Sequence, residues 1–354
     1  MRIQKLGEQF NCDEVALIVS SENRTYFTGF TSSNGYLLVS KNGSVFITDS
    51  RYIEVAKNEV QGCDDIVLQQ NIKAQLVKEA KKLGAKKILI EAQRTTIANY
   101  NSYKEIFEGM DVIATSELDD FIEGIRAIKS QEEKETIIKA QRIAEKAFAF
   151  ILEYITQGKT EREVARELDY YMLRNGADAL SFNTIVVSGK NSSKPHGEPS
   201  EKRLERGDFI TMDFGACVKG YHSDMTRTVA LGSVSTRQAR VYETVLKAQQ
   251  CAIDKVCEGV LACDCDFAAR SFIDDAGFED FFGHGTGHGV GIEIHEKPTL
   301  NKVSKDILQF GNIVTVEPGI YIEGSFGVRI EDMLFVTKDG NENLTNAPKA
   351  LMVL

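Results

Sequence analysis

The feature that most constrains the fold is an order of predicted elements that occurs twice in the second part of the chain. Each occurrence consists of a helix, a second helix, a strand and a hairpin of two strands. Capping boxes, in which Ser or Thr is followed three positions later by Glu or Gln, open three of these helices at residues 130–133, 160–163 and 235–238. The two halves share little identity, so the repeat is one of pattern. It predicts two related layers that face each other.

The spacing of apolar residues sets the predicted bounds of these elements. In the first half we predict helices that begin at Ser130 and Thr160, a strand at 183–188 and a hairpin at 208–231. The second half repeats this order. Its helices are predicted at 235–256 and 267–276, its strand at 290–295, and its strand pair at 312–321 and 327–336.

The part of the chain before this repeat has a different pattern, in which short strands and helices alternate. We predict strands at 15–20, 36–40, 44–48, 87–90 and 112–114, and helices at 51–59, 72–83 and 96–107. Asn42 and Gly43 carry the signal of a hairpin turn between two of these strands. The pattern predicts an α/β domain at residues 1–122, followed by an α+β domain at residues 123–354.

Histidines and acids recur at matching places in the two halves of the repeat. All five histidines of the chain lie in the second part. We expect the first strand of each half to end at a histidine, His196 and then His295. Each strand pair carries two acids in a strand-like setting: Asp213 and Asp224 in the first half, and Glu317 and Glu331 in the second.

The first hairpin allows the positions of its acids to be derived. A two-residue turn at Lys219 and Gly220 places Asp213 opposite Thr226, with Asp224 diagonal to Asp213 on the same face. Diagonal Cα atoms lie roughly 7–8 Å apart, so the two carboxylates can converge on one ion. The alternative is that both are exposed strand acids. Aspartate is disfavoured in strands, and here apolar neighbours surround it, so we expect burial, which requires a cation.

His288 is the remaining candidate ligand, in a segment where five glycines surround His284 and His288. Glycines allow the backbone to pass close to a bulky group. Four carboxylates carry a charge that two divalent ions would balance. Oxygen-rich ligands with one imidazole suit Mn²⁺ or Co²⁺, and Zn²⁺ less specifically.

Composition excludes several classes of function. The net charge is -10 and the sequence pI is about 5.2, which argues against a surface that binds nucleic acid or an anionic membrane. The start, MRIQKLGEQF, lacks the apolar core of a signal peptide, and no apolar run is long enough to span a membrane. Seven cysteines, an odd number, fit a reduced set better than a disulfide framework. We therefore expect a cytoplasmic protein.

Several segments resemble those of the pita-bread metallopeptidases, within the branch of Xaa-Pro aminopeptidases and Xaa-Pro dipeptidases (prolidases). They are PHGEPS, MDFGACVKGYHSDMTRT, GHGTGHGVGIEIHE, VEPGIY and VRIED, and YFTGFTSSNGYLLV and FITDSRYIEVA resemble the creatinase-like N-terminal domain of that branch. The resemblance implies metal ligation by Asp213, Asp224, His288, Glu317 and Glu331. It also implies catalytic or substrate-contacting roles for His196, His284, His295, Glu317 and Arg329. His222 departs from the pattern and has no role in the family.

The implied activity is hydrolysis of the bond between an N-terminal residue and a following proline. A hydroxide shared by two divalent ions would attack the carbonyl before proline, with Glu317 shuttling its proton and His295 stabilising the oxyanion. The expected substrates are short peptides with proline in the second position, and the resemblance points to a homodimer. The alternatives are a creatinase-type hydrolase, which works without metal, and a non-catalytic member of the fold. Creatinase-like chains lack the ligand set found here.

Overall fold

The computed structural model describes residues 2–354. The chain divides into two compact units, of which the first ends at Arg126 and the second begins at Ala127. The predicted domain boundary after residue 122 lies within the helix Glu117–Ala127, and the division at that residue remains a prediction.

The first unit is built on a six-stranded mixed sheet with the strand order β4-β3-β2-β1-β5-β6. Its strands are β1 (Glu14–Ile18), β2 (Tyr36–Ser40), β3 (Gly43–Thr48), β4 (Asp65–Leu68), β5 (Lys87–Ile90) and β6 (Asp111–Ile113). Its helices are α1 (Arg2–Gly7), α2 (Ser21–Thr28), α3 (Ile53–Glu59), α4 (Ile72–Lys82), α5 (Ile97–Ile106) and α6 (Glu117–Ala127). Ser40 pairs with Gly43, so the predicted hairpin turn is confirmed.

Four elements of the first unit were not predicted: α1, α2, β4 and α6. The sequence of α2, SENRTYFT, is mainly polar and lacks a clear apolar stripe. The strand β4 lies at the edge of the sheet and has no buried residue. Because neither segment has a periodic apolar face, hydrophobic spacing gave no signal for it.

The second unit has four long helices, and their starts follow the predicted caps. They are α7 (Gln131–Tyr154), α8 (Glu161–Arg174), α9 (Thr236–Lys255) and α10 (Ala262–Asp275). Ser130, Thr160 and Ser235 each form a complete capping box, so all three predicted boxes are confirmed. Each helix packs a row of buried apolar residues against the strands of its own half.

The strands of the second unit form small antiparallel sheets around these helices. They are β7 (Ala179–Leu180), β8 (Ile185–Ser188), β9 (Phe209–Phe214), β10 (Ala216–Val218), β11 (Tyr221–His222), β12 (Met225–Ala230), β13 (Gly287–Gly289), β14 (Glu296–Leu300), β15 (Ile313–Val316), β16 (Gly319–Ile322), β17 (Phe326–Arg329), β18 (Asp332–Thr337) and β19 (Gly340–Asn343). The sheet orders are β12-β9-β8, β11-β10-β7, β14-β13-β15-β18-β19 and β16-β17.

Each of the two predicted hairpins is present but interrupted near its middle. In the first, β9 pairs with β12 and β10 pairs with β11; in the second, β15 pairs with β18 and β16 pairs with β17. The register of the first hairpin is as predicted, with Val218 opposite Tyr221 and Asp213 opposite Thr226. Two helices, two short strands and a hairpin therefore follow one another in both halves.

The predicted strand at 290–295 is wrong. The chain instead forms β13 before this segment and β14 after it, with an irregular connection between them. A β-carbon at Gly287 would collide with the carbonyl oxygen of Thr315, and one at Gly289 with that of Lys297. The strand therefore forms where glycine permits close backbone approach, and not at the apolar residues that follow.

The two histidines expected at the ends of first strands also lie elsewhere. His295 immediately precedes β14, and His196 lies in the loop that follows β8 and a short 3₁₀ helix, Gly189–Ser193. Both residues are therefore carried by connecting segments, where the backbone is not fixed by a sheet.

Candidate metal centre and active site

A cavity of about 560 Å³ lies in the second unit and is lined by every site residue predicted from the sequence. Those residues are His196, Asp213, Asp224, His284, His288, His295, Glu317, Arg329 and Glu331. His222, to which the resemblance assigns no role, lies on β11 and is not among the lining residues. The structure thus brings the predicted residues together, while the role of each remains a prediction.

The four carboxylates come from the two hairpins, mostly at the places where the strands are interrupted. Asp213 lies within β9, as expected. Asp224 directly precedes β12, Glu317 directly follows β15 and Glu331 directly precedes β18, so the expected strand setting is wrong for these three. The backbone N–H of Glu331 donates a hydrogen bond of 3.2 Å to the carbonyl of Thr226, which joins the two hairpins at this point.

The predicted metal ligands lie within a few ångströms of one another. Nε2 of His288 is 3.3 Å from Oε1 of Glu317 and 3.6 Å from Oδ2 of Asp224. Asp224, His288 and Glu331 each offer one ligand atom, and these atoms lie within 4.8 Å of one another. One imidazole and several carboxylates at this spacing match the ligands that divalent transition metals prefer.

Three carboxylate oxygens in this cluster are buried without a hydrogen-bond partner among residues 2–354. They are Oδ1 of Asp213, Oδ1 of Asp224 and Oε1 of Glu331. A buried oxygen without a partner is costly, because it loses its hydration and gains nothing in return. Cations bound between these oxygens would remove that cost. The residues therefore fit a divalent metal centre.

The pKa values of the cluster reflect crowded acids. Burial, with the neighbouring carboxylates, raises the pKa values of Asp224 and Glu331 well above their ordinary values. Burial also raises the pKa of Asp213, although Arg329 opposes this. Glu317 differs: burial would raise its pKa, but the hydrogen bond and charge of His288 prevail and lower it to about 2. A cation among these acids would favour their ionised forms.

Arg329 holds one side of the cluster with four hydrogen bonds. Its guanidinium donates to Oδ2 of Asp213 at 2.6 Å, to Oγ1 of Thr226 at 3.0 Å, to the hydroxyl of Tyr321 at 2.8 Å and to the carbonyl of Pro195 at 3.2 Å. The rigid fork of an arginine suits such a set of fixed acceptors. Arg329 therefore fixes Asp213 and the loop before His196 in one arrangement.

The other histidines occupy different positions around the cavity. Nε2 of His284 is 2.9 Å from the hydroxyl of Tyr321, and burial lowers the pKa of His284. The ring of His295 lies 4.4 Å from that of His288, centroid to centroid, and His295 is exposed. His196 is also exposed. An exposed imidazole at the cavity is available to a substrate, whereas His284 is already held by the protein.

Sequence reasoning missed two residues that connect the site. Tyr321 joins Arg329 to His284 through its hydroxyl, and burial raises the pKa of Tyr321 to about 12, so it stays protonated. Thr226 joins Arg329 to Glu331. A signal for Thr226 existed, because the predicted register already placed it opposite Asp213. Tyr321 lies in the segment VEPGIY that carries the resemblance, but nothing in that segment indicates a contact with His284 or Arg329.

Comparison with known proteins identifies the family. The family model described as the Creatinase/Prolidase N-terminal domain matches residues 2–128, and that of metallopeptidase family M24 matches residues 135–338, more than half of the chain. The chain belongs to metallopeptidase family M24. This membership implies divalent metal ions, as the carboxylate cluster does.

Individual relatives of this M24 protein match it over nearly its whole length. It is 37% identical to the Xaa-Pro dipeptidase of Pyrococcus horikoshii, across 97% of this chain and 95% of that one. The solved Xaa-Pro dipeptidase from Bacillus anthracis has a TM-score of 0.96 and 40% identity, covering 100% of this chain and 99% of that one. The X-Pro aminopeptidase from Thermotoga maritima has a TM-score of 0.91 and 36% identity, covering 98% and 99%.

These matches confirm the fold expected from the sequence, a creatinase-like N-terminal domain followed by a pita-bread metallopeptidase domain. Among residues 2–354, none of the helices of this M24 protein has the length and apolar composition needed to cross a bilayer.

Proposed function

We propose that this chain is an exopeptidase that uses two divalent metal ions to hydrolyse the bond between an N-terminal residue and a following proline. The observation that carries the proposal is the convergence of four carboxylates and His288 on one cavity, with three buried carboxylate oxygens that lack a partner among residues 2–354. The names of the relatives, Xaa-Pro dipeptidase and X-Pro aminopeptidase, support the substrate class.

The proposed ligands are Asp213, Asp224, His288, Glu317 and Glu331. Their four carboxylates would carry the charge that two divalent ions neutralise, and the oxygen-rich set favours Mn²⁺, with Co²⁺ or Zn²⁺ as alternatives. When bound, two such ions supply Lewis acidity and a nucleophilic water at neutral pH.

Glu317 is the proposed acid and base. Its Oε1 accepts a hydrogen bond of 3.2 Å from the hydroxyl of Thr315, which orients the carboxylate. An ionised carboxylate can accept the proton of the attacking water at an Oε atom. It can then return that proton to the nitrogen of proline as the bond breaks.

The histidines are proposed to act on the substrate. His295 is exposed next to His288, and its ring N–H would donate to the carbonyl oxygen as negative charge develops there. His196 would contact the substrate at the cavity, and Arg329 would hold Asp213 in place through their 2.6 Å bond. His284 would contact the substrate from the position that its hydrogen bond to Tyr321 fixes.

The bond before proline sets the specificity. It is a tertiary amide with no N–H, so a peptidase that must accept a hydrogen bond from the scissile amide cannot bind it. A cavity that recognises the ring and the free amine does not need that N–H. The carboxylates of the site would attract the α-ammonium group of the substrate, which fits cleavage after the first residue.

The test is hydrolysis by the purified full-length chain after removal of metal and addition of Mn²⁺, Co²⁺ or Zn²⁺. The substrates are an Xaa-Pro dipeptide, the corresponding Xaa-Pro-Xaa tripeptide and an Xaa-Ala control. We expect metal-dependent release of the first residue from a proline peptide and little from Xaa-Ala. Equal rates with and without metal, or no preference for proline, would refute the proposal. The relative rates on dipeptide and tripeptide distinguish a dipeptidase from an aminopeptidase.

We further propose a cytoplasmic homodimer in which residues 1–122 form the creatinase-like domain and residues 123–354 the catalytic domain. All seven cysteines are free in the structure, which fits a reducing compartment. Light scattering of the full-length protein tests the dimer, and a monomeric mass at micromolar concentration would exclude it. Cell fractionation tests the location.

A further inference from the structure

A buried ion pair on α10 lies behind the cavity without lining it. Asp266 and Arg270 are one helical turn apart, and their side chains are only 1% and 11% exposed. Nε of Arg270 donates to Oδ2 of Asp266 at 2.8 Å, and Nη2 donates to Oδ1 at 2.8 Å. This two-point pairing fixes both side chains in one geometry. Neither residue is among those that line the cavity.

The remaining hydrogen bonds of this pair go to one irregular segment of backbone. Arg270 donates to the carbonyl of Phe282 at 2.8 Å and to that of His284 at 2.7 Å. Oδ1 of Asp266 accepts from the backbone N–H of Thr286 at 3.1 Å and from its hydroxyl at 2.9 Å. The segment contains Gly283 and Gly285 and belongs to no strand or helix, so these four bonds supply the restraint that a sheet would otherwise give.

The anchored segment leads directly to the proposed catalytic groups. The ring of His284 reaches the hydroxyl of Tyr321 at 2.9 Å. The carbonyl of Thr286 accepts a hydrogen bond of 2.7 Å from the backbone N–H of Glu317. The chain enters β13 at Gly287, directly after Thr286, and His288 is the next residue. One ion pair is therefore connected by short, continuous contacts to an imidazole and to the backbone of a carboxylate in the site.

Stability alone does not account for a buried ion pair at this place. Removing two charges from water is costly, and well-packed apolar residues of similar size often stabilise a fold equally well or better. An apolar pair could not bind two carbonyls, an amide and a hydroxyl of a glycine-containing segment. The distinctive effect of the ion pair is therefore to hold that segment in place through these hydrogen bonds.

We propose that Asp266 and Arg270 form a positioning pair for catalysis, which fixes His284 against Tyr321 and the backbone of Glu317 in the reactive arrangement. The inference rests on the proposed function, because it assigns these groups to peptide hydrolysis. The positioning role goes beyond the proposed function, because neither Asp266 nor Arg270 would touch the substrate or a metal ion.

The first test is Arg270→Lys in the full-length, metal-loaded enzyme. Lysine keeps a positive charge beside Asp266 but cannot also reach two carbonyls, so the variant isolates the anchoring contacts. We expect kcat on the proline peptide to fall roughly 10- to 100-fold, because small displacements of reacting groups have effects of that size. KM and metal content should change little. Ile151→Ala, in the buried core of α7 away from the cavity, is the control for lost stability and should keep its kcat.

The second test separates positioning from general damage with a double-mutant cycle. On a His284→Ala background, Arg270→Lys should reduce kcat by less than it does alone, because one of the two groups that the pair positions is already absent and only the backbone of Glu317 is left to be displaced. Equal losses on both backgrounds, or an Arg270→Lys enzyme within twofold of wild-type kcat, would overturn the proposal. An inactive wild-type enzyme would instead contradict the proposed function itself.

A milder pair of variants keeps the proposal testable if Arg270→Lys does not fold. Thr286→Val removes only the hydroxyl bond to Asp266 and preserves the shape of the side chain, whereas Thr286→Ser keeps the hydroxyl. We expect Thr286→Val to lower kcat several-fold at unchanged metal content and Thr286→Ser to retain most of it. Equal kcat values for the two variants would count against the positioning role.

Discussion

The hydroxyl of Thr226 donates a hydrogen bond of 2.7 Å to Oε2 of Glu331, so a residue of the first hairpin orients an acid of the second. The same hydroxyl accepts from Nε of Arg329 at 3.0 Å, which fixes the direction of its proton. Glu331 is left with Oε1 buried and without a partner among residues 2–354, so this oxygen is free to bind a metal ion. Thr226 thereby orients the carboxylate of Glu331 and leaves Oε1 without a protein partner.

Replacing Thr226 by valine should weaken metal binding without removing a ligand. The substitution keeps the shape of the side chain but deletes the donor to Glu331, so the carboxylate is no longer oriented. Loss of such a supporting contact typically reduces metal affinity by about 10- to 100-fold. Calorimetric titration of the metal-free protein with Mn²⁺ measures the change. Thr226→Ser keeps the hydroxyl and should bind nearly as well as wild type; equal affinity of the valine and serine variants would contradict this role.

Neutralising one acid of the cluster should abolish turnover but not folding. Asp224→Asn or Glu331→Gln removes a charged ligand, so metal binding and kcat should be lost. In the metal-free state the same change removes the cost of burying a charge and relieves repulsion from neighbouring carboxylates, the two causes that raise the pKa values of Asp224 and Glu331. The thermal midpoint in EDTA, followed by circular dichroism, should therefore equal or exceed that of wild type.

The matched control for these variants is Asp275→Asn, an exposed acid at the end of α10 outside the cavity. It should retain both activity and metal. A large fall in the midpoint of Asp224→Asn would mean that this acid serves the fold rather than the metal.

Local chemistry explains which parts of this fold could be predicted. The caps at Ser130, Thr160 and Ser235 depend on residues three positions apart, so the sequence contains the whole interaction. The register of the first hairpin follows from one turn and from the two-residue period of strands, so Asp213 and Thr226 could be paired in advance.

The parts that escaped prediction depend on contacts between distant segments. At two of the interruptions the backbone bonds to a distant segment, since Glu331 donates to the carbonyl of Thr226 and Glu317 to that of Thr286, and no local pattern marks these contacts. The alternating apolar residues after Gly289 indicated a strand, but close contact with the segments around Thr315 and Lys297 decides where it forms. The hydrogen bonds from Asp266 and Arg270 to the segment that carries His284 could not be predicted either, because that segment lies more than ten positions further along the chain.

Metal binding should become stronger as the pH rises. In the metal-free protein Asp224 and Glu331 have raised pKa values, so they retain protons that a metal ion must displace. Mn²⁺ affinity measured at about pH 6 and about pH 8 should increase with pH, and binding in a weak buffer should release protons. Affinity that is independent of pH would contradict this account.

The same raised pKa values predict the stability of the metal-free protein. An acid whose folded-state pKa exceeds its unfolded value contributes less stability as the pH rises from about 4 through the folded-state pKa. The difference in unfolding free energy between metal-free wild type and Asp224→Asn should therefore shrink as the pH is lowered through that range. Urea titrations at several pH values measure it, and a difference that grows on acidification would have the wrong sign.

His295 should affect catalysis without affecting metal content. Its ring lies 4.4 Å from that of the proposed ligand His288, yet it is exposed, so it is placed to meet the substrate. His295→Ala should lower kcat by roughly 10²- to 10⁴-fold, the range typical for loss of a proton donor or oxyanion-stabilising group. KM should change far less. Kinetics on a proline peptide, with metal analysis of the same sample, provide both measurements.

His222→Ala is the matched control for this variant, because His222 is a histidine of the same unit that does not line the cavity. It should keep both metal and kcat. If His295→Ala instead loses metal in proportion to activity, His295 takes part in holding the ions. The division of roles between His288 as ligand and His295 as the group that meets the transition state would then be wrong, because a residue that acts only on the substrate cannot change the occupancy of the metal centre.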